Sequence, residues 1–562
     1  MIEQEKLPLS LKLENRISFR MAVLLTAVLF LLIFLPWLTS QRELFRHEGL
    51  YAAVAADFVD VPWSPEAGIT AQAHNTLQRD VWPLYPALVS LLYRLSLPME
   101  TALRLISLIM LGILSLLAAF AAGCRSGKLA GIVAGCCCFG TLFALSKGVQ
   151  GGPESMAACF LLAAQLLFFH YGSRLADWNC AWIASAFFLA LGFLTSGPVV
   201  LLFFIFPLFF LRRPLSFAGK FRTPGFACGI ILLLVVMMAW AYPFGIDLLK
   251  NPGGAELKMI ASGEYWRDLL LFPVKFPLRF MPWTLVAWMP FCVALQAISP
   301  VPVFSRYLRT LFFSMAALVW LIPGISTELT FFVIGPLAVL TGLNYELGVR
   351  RYSGFLRKAL TLGWIFFPAA ILLVLAAAFA PPSLLRFLGD PEKMLFRETV
   401  SGYSYWAVGA VVLLILAFAV YCRGRCRLPV WAQIALISFG IGVVGAVELL
   451  PYSMMENGWR KFGSDVREVL PEDTARIYKY DIEGMYSGLF YVGIPVYRMQ
   501  SLEELDGLED SVYLISSRLP VYPGRVWTPL LPDDYTCRGI PVSVWRGVRR
   551  PDDEYDAGTG DE

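Results

Sequence analysis

The sequence predicts an all-α polytopic membrane bundle of about thirteen transmembrane helices, followed by a small soluble α/β domain. Three observations carry that prediction: composition, the spacing of apolar runs, and the placement of Lys and Arg. Of 562 residues, 57% are hydrophobic and 16% charged, against roughly 25% charged in an ordinary soluble domain. In water that much apolar surface would leave adhesive patches, whereas a bilayer solvates it. A net charge of +4 is too small to point to nucleic acid.

Crossing ~30 Å of hydrocarbon takes about 20 helical residues. Runs of that kind lie near 19–38, 101–121, 129–146, 153–171, 180–196, 198–211, 224–243, 281–298, 306–323, 330–346, 358–381, 404–421 and 430–449. The stretch 84–97 is a fourteenth candidate, but Pro86, Arg94 and Pro98 make it a better half-helix. Lys12, Arg16 and Arg20 precede the first run and no small-residue cleavage site follows it, so it reads as a retained anchor.

With the N-terminus in the cytoplasm, every inside loop is basic. These loops carry Arg125 and Lys128, then Arg174, then Arg212, Arg213, Lys220 and Arg222, then Arg306 and Arg309. Arg350, Arg351, Arg357 and Lys358 follow, and finally Arg423, Arg425 and Arg427. The short outside connections near 196–198 and 324–330 have no Lys or Arg. This asymmetry is the positive-inside pattern, and it puts the chain in a bacterial inner membrane with its C-terminal domain in the periplasm. The expected organisation is a membrane domain, 1–450, with long outer loops at 39–83 and 244–280, and a periplasmic domain, 451–562.

From residue 451 charged residues and turn formers replace the apolar runs. "ARIYKYD", "PVYRM", "SVYLISS" and "PVSVWRGV" read as short strands, and "SLEELDGLED" as a helix with Ser501 and Glu504 in a capping box. Alternating signals of this kind suggest an α/β domain. The acidic end, "PDDEYDAGTGDE", reads as solvated chain, and the domain shows no nucleophile–base pairing. Most of the eleven cysteines lie in apolar stretches and read as helix-packing residues; Cys422 and Cys426 have no second pair to complete a zinc site.

Polar chemistry gathers in the two long outer loops. The first contains His47 and His74, two of the three histidines, with Glu48, Asp57, Asp60, Glu66, Asp80, Arg42, Arg46 and Arg79. Leu44, Tyr51, Ala55 and Phe58 fall on one stripe at helical spacing, as in an amphipathic helix on the outer membrane surface. Glu48, just past the first span and near Arg46 and Tyr51, can act as general base on an acceptor hydroxyl while Arg or Lys clamps a phosphate. The alternative is a loop helix whose charges only face water. His47 and His74 with Glu48 could hold a divalent metal, though the intervening residues fix no geometry. In the second loop, Glu264, Tyr265, Arg267, Lys275 and Arg279 fall within sixteen residues. They suit a lipid phosphate, or simple interfacial anchoring. Glu154 opens a later helix, where a helix-terminus charge is as natural as a substrate role.

The order of these features resembles the GT-C glycosyltransferases of the protein O-mannosyltransferase and aminoarabinose transferase type. The family's Asp-Glu-x-Arg-Tyr corresponds to "HEGLY", His47–Tyr51, and its Lys-Pro-Pro-Leu-Tyr to "VWPLY", Val81–Tyr85. Arg104 in "METALRLIS", Glu154 in "GGPESM", "LTSGP" at 194–198, Pro282–Trp283 in "FMPWTLVAW" and "TFFVIGPLAVL" at 330–340 follow in the family's order. The resemblance implies sugar transfer from a polyprenyl-phosphate donor to a glycan, lipid or protein acceptor on the outer face. It also implies Glu48 and His47 at the catalytic position, with Tyr51, Tyr85 and Glu154 in the substrate site. Several polar positions depart from the pattern: His47 stands for Asp, Leu50 for Arg, Val81 and Ser196 for Lys, Glu328 for a basic residue and Thr330 for Tyr. Arg46, Arg79 and Lys147 could replace the lost charge. Two other readings stay open: a scaffold of the same fold without chemistry, and a lipid or sugar transporter. A transporter would place charge near mid-membrane and repeat its halves, and neither feature is evident here.

Overall fold

A computed structural model of the chain describes residues 19–38, 43–44, 47–60, 71–74, 76–78, 81–211, 220–244, 263–322, 328–378, 428–444, 458–482, 484–499, 501–508, 511–532, 535–537 and 540–549. Two compact units emerge: Met1–Ser40 with Arg104–Tyr452, and Gln41–Leu103 with Ser453–Glu562.

The first unit is helical. By length and composition, five helices are able to cross a membrane: Met99–Ser126, Glu154–Arg174, Trp178–Ser196, Pro224–Ala241 and Thr330–Arg351. A bent pair, Tyr265–Arg279 with Thr284–Phe291, makes a sixth if the two helices form one span. Most of the other expected runs do form helices, among them Phe19–Leu38, Lys128–Phe139, Pro198–Leu208, Pro302–Leu321, Ser353–Ala378 and Val430–Val444. Several of these are too short to pass the same test, so the count of thirteen is not reached among the described residues. The run at 404–421 lies outside them. The crossing expected at 281–298 is not one helix. It breaks into Thr284–Ala287, Met289–Phe291 and Val293–Gln296, because Pro282 and Pro290 lack the amide hydrogen that a continuous helix needs. Conversely, part of the second outer loop is helical: Gly263–Arg279 bends by 102° into the segment that follows.

Close approach of backbones packs this unit. A Cβ on Gly342 would sit 2.3 Å from the Ala130 carbonyl oxygen, so the Thr330–Arg351 and Lys128–Phe139 helices touch where only glycine fits. Cys136, Cys137 and Cys138 are buried in the same core, and the nine described cysteines are all free thiols.

The second unit joins the first outer loop and the Leu84–Arg94 helix to the C-terminal α/β region. Its sheet runs in the order Val496–Arg498, Ile477–Lys479, Ser511–Ser516, Ser543–Arg549, Arg525–Pro529. The first three strands are parallel and the last two pair antiparallel. The four strands read from the sequence are present, and Glu504 accepts from the Ser501 amide at 3.2 Å in the expected capping box, over a short 3₁₀ helix. Among the elements that escape that reading are the strand Arg525–Pro529, the short strand pair Thr536–Cys537 and Ile540–Pro541, and the helices Trp459–Val469 and Tyr486–Val492.

Candidate active site

The Glu48–Asp60 helix does not present a single apolar stripe. Ala52, Ala53, Val54 and Ala55 are consecutive and all buried, which requires neighbours on every side. Ala53 and Val54 cluster with Ala73, Val81 and Tyr486. Gly49 lies so close to the Tyr486–Val492 helix that a Cβ would fall 2.2 Å from Ser487 Oγ and 2.4 Å from the Ser487 amide nitrogen. The expected membrane-surface helix is therefore a core element of its unit.

Glu48 opens this helix and is 2% exposed. Its carboxylate benefits from the partial positive charge of the helix N-terminus. His47 is exposed, and its carbonyl accepts from the Leu50 and Tyr51 amides at 3.1 and 3.2 Å. Tyr51 meets Tyr85 edge to face, with ring centroids 5.4 Å apart. Tyr85 is fully buried and donates its hydroxyl to the Leu103 carbonyl at 2.9 Å. Arg46 and Arg79 lie outside the described residues.

Just upstream, Glu43 spreads its two carboxylate oxygens over the start of the Trp459–Val469 helix. It accepts from the Trp459 amide at 2.8 Å and the Arg460 amide at 3.2 Å. The Leu44 amide donates to the Tyr491 hydroxyl at 2.9 Å, and that hydroxyl donates to Glu100 at 3.0 Å. Arg460 completes the network with an ion pair to Glu100 at 2.9 Å. These contacts fix the chain four residues ahead of Glu48.

A second cluster in this unit involves His74, Tyr486 and Lys479. The His74 ring stacks on Tyr486 at 5.3 Å, and the Lys479 ammonium lies over the same tyrosine, 4.3 Å from its centroid. His74 and Lys479 are both buried. Burial, aided by the Lys479 charge, holds the His74 imidazole down at about 3 from its ordinary 6.5. Burial and the Arg498 charge bring Lys479 down to about 8 from 10.5, while Asp57 opposes them. Among the described residues, no three of His, Cys, Asp and Glu come together as a metal site. Lys479 escapes the sequence reading, although a signal existed: in "IYK" it shares the inward face of its strand with Ile477.

The candidates in the helical unit separate into two groups. Arg279 donates to Thr330 Oγ1 at 2.6 Å, and Lys147 and Glu328 are electrostatic neighbours of Glu154. Glu154 folds over Gly152, whose amide and carbonyl are both bonded to the Ser107 hydroxyl at 2.9 and 2.8 Å. The remaining members of the second-loop cluster do not converge there. Tyr265 donates to the Leu321 carbonyl at 3.1 Å, Lys275 pairs with Asp268 at 2.8 Å, and Arg267 is exposed. Arg104 is buried.

No family model matches the chain, and neither does any curated protein. Solved structures do. The apo structure of ArnT, an aminoarabinose transferase from Cupriavidus metallidurans, aligns with a TM-score of 0.66 at 16% identity, covering 93% of this chain and 97% of that one. The same protein bound to undecaprenyl phosphate aligns at 0.68, with 15% identity and the same coverage. The chain has the fold of the GT-C glycosyltransferases. Because both alignments run nearly end to end, the GT-C likeness extends over the first outer loop and the C-terminal α/β region as well as the apolar helices. An oligosaccharyltransferase from Archaeoglobus fulgidus also aligns, at a TM-score of 0.45 and 11% identity.

Proposed function

We propose that this chain is a membrane glycosyltransferase. It moves a sugar from a polyprenyl-phosphate donor to a glycan, lipid or protein acceptor at the outer face of a bacterial inner membrane. In this reading the chain crosses thirteen times, with the N-terminus in the cytoplasm and residues 451–562 in the periplasm. The observation that carries the proposal is Glu48: a carboxylate withdrawn from water at a helix N-terminus, directly after the first apolar helix, in a fold shared end to end with a lipid-phosphate-binding transferase.

Glu48 takes the proton of the acceptor hydroxyl as its oxygen attacks the anomeric carbon, and the bond from that carbon to the donor phosphate breaks. The phosphate leaves on its lipid, its charge met by cations of the same loop, Arg46 and Arg79. Tyr51 and Tyr85 shape the wall beside Glu48, and His47 stands at its rim. Transfer of label from undecaprenyl-phosphate-linked sugars to membrane acceptors tests this. Glu48→Gln should lower the rate by roughly 10²–10⁴-fold, the range for a general base, at unchanged expression and membrane insertion. An unaltered rate would remove Glu48 from the chemistry.

A second reading, a non-catalytic scaffold of the same fold, is favoured by the replacements at His47, Leu50, Val81, Ser196, Glu328 and Thr330. Absence of transfer by the parent chain with every lipid-linked sugar offered would select it.

A further inference from the structure

We infer that the helical unit carries a binding site for an anionic glycerophospholipid, formed by the Pro198–Leu208 and Pro302–Leu321 helices with the broken segment between Val293 and Ala297. The inference is independent of sugar transfer. A groove of about 810 Å³ opens among these elements, within the range of roughly 300–1,000 Å³ typical of small-molecule sites. Its rim is apolar and uncovered: Val293 is 82% exposed, Phe313 57% and Phe210 54%. Three large apolar groups at such exposure mean that the groove opens toward hydrocarbon, so its occupant must bring a chain that belongs there.

The groove's charge is of one sign. Arg306 and Arg309 line it, and none of its described lining residues is acidic. Being three residues apart on one helix, the two guanidinium groups share a face and act on each other as like charges. Arg309 has one anchor, a bond from Nη1 to the Pro290 carbonyl at 3.3 Å. Among the described residues the Arg306 guanidinium has no hydrogen-bonded or ionic partner. Two adjacent cations at one end of an apolar groove match an amphiphile with an anionic phosphate head. A soluble nucleotide would not cross the apolar rim, and a zwitterionic lipid would leave the pair under-neutralised. The basic-loop pattern puts Arg306 and Arg309 at the cytoplasmic end of their helix, the face opposite to that proposed for sugar transfer. The occupant is therefore a bulk membrane lipid and not the donor.

Native mass spectrometry of the full chain, exchanged into micelles containing phosphatidylglycerol or phosphatidylcholine, tests the site. Phosphatidylglycerol adducts should outlast phosphatidylcholine adducts on collisional activation, and the preference should fall on the order of 10-fold in the Arg306→Gln/Arg309→Gln variant. Ala317→Trp, which fills the groove and leaves both charges, should remove the adduct as well. Equal retention of the two lipids, an undiminished preference in the double variant, or phosphatidylglycerol retention in the filled variant would each overturn the proposal. So would displacement of phosphatidylglycerol by undecaprenyl phosphate at equimolar concentration, which would mark a donor-lipid site.

Discussion

In the unit made of residues 41–103 and 453–562, carboxylates are answered by protein. Glu43 is met by two backbone amides, and Glu100 by Tyr491 and Arg460. In the helical unit, Arg306 and Arg309 face each other across one helical turn, with no carboxylate among the described residues that line their groove. The difference follows from the surroundings each unit is built for. A water-facing region must satisfy its buried charges internally, because burying one alone costs several kcal/mol. A region wrapped in lipid can leave cations for headgroups to neutralise. The charges of the unit made of residues 41–103 and 453–562 should thus govern its stability and its response to pH, and the helical unit's charges its response to lipid.

The largest expected effect is Gly49→Val. Its side chain would be driven into the Ser487 backbone, where neither element can yield cheaply, and overpacking of this kind costs about 1–3 kcal/mol or more. A lower Tm and faster proteolysis of the C-terminal region would show it; an unchanged Tm would mean that the two elements are not packed as described.

Next is pH. His74 is held neutral at about 3 and would titrate near 6.5 when unfolded. Its contribution is complete above pH 6.5 and is lost as pH falls toward 3, because the unfolded state takes up the proton first. The loss is at most about 1.4 kcal/mol per pH unit. His74 has a positive φ of 53°, a conformation that Asn tolerates, so His74→Asn should flatten the acid slope of Tm between pH 6.5 and 5 relative to the parent. Identical slopes would show that His74 is already protonated in the folded chain.

The smallest effect is Glu43→Ala. Removing a carboxylate that caps a helix costs about 0.5–2 kcal/mol. A parallel drop in Tm at pH 7 and pH 8 would fit, whereas no drop would return the cap to solvent.

What the sequence disclosed follows the range of the forces involved. Apolar runs mark helices because desolvation acts residue by residue, and "IYK" or "SVYLIS" mark strands because inward and outward residues alternate. The break after Arg279 was legible only as a scatter of prolines. Pro273 and Pro277 sit inside a helix while Pro282 lies in the turn between two, and local sequence does not separate those cases. Glu48 was legible as a carboxylate just past the first apolar run. Glu43 carries no local signal, since its partners lie 416 and 417 residues away. The second-loop cluster looked like one phosphate clamp because its charges are close in sequence; helix geometry instead gives Lys275 to Asp268 and Arg279 to Thr330.

The cap that Glu43 places on the Trp459–Val469 helix also sets an order of assembly. At about 5–20 residues per second, the 416 residues between donor and acceptor take on the order of 20–80 s to synthesise. Throughout that interval the first outer loop has emerged, but Trp459, Tyr486, Ser487 and Tyr491 do not yet exist to meet it. Glu48 therefore cannot reach its final setting until the end of translation. A chain cut short before residue 458 would strand Glu43 and leave Gly49 without the helix it was shaped to receive.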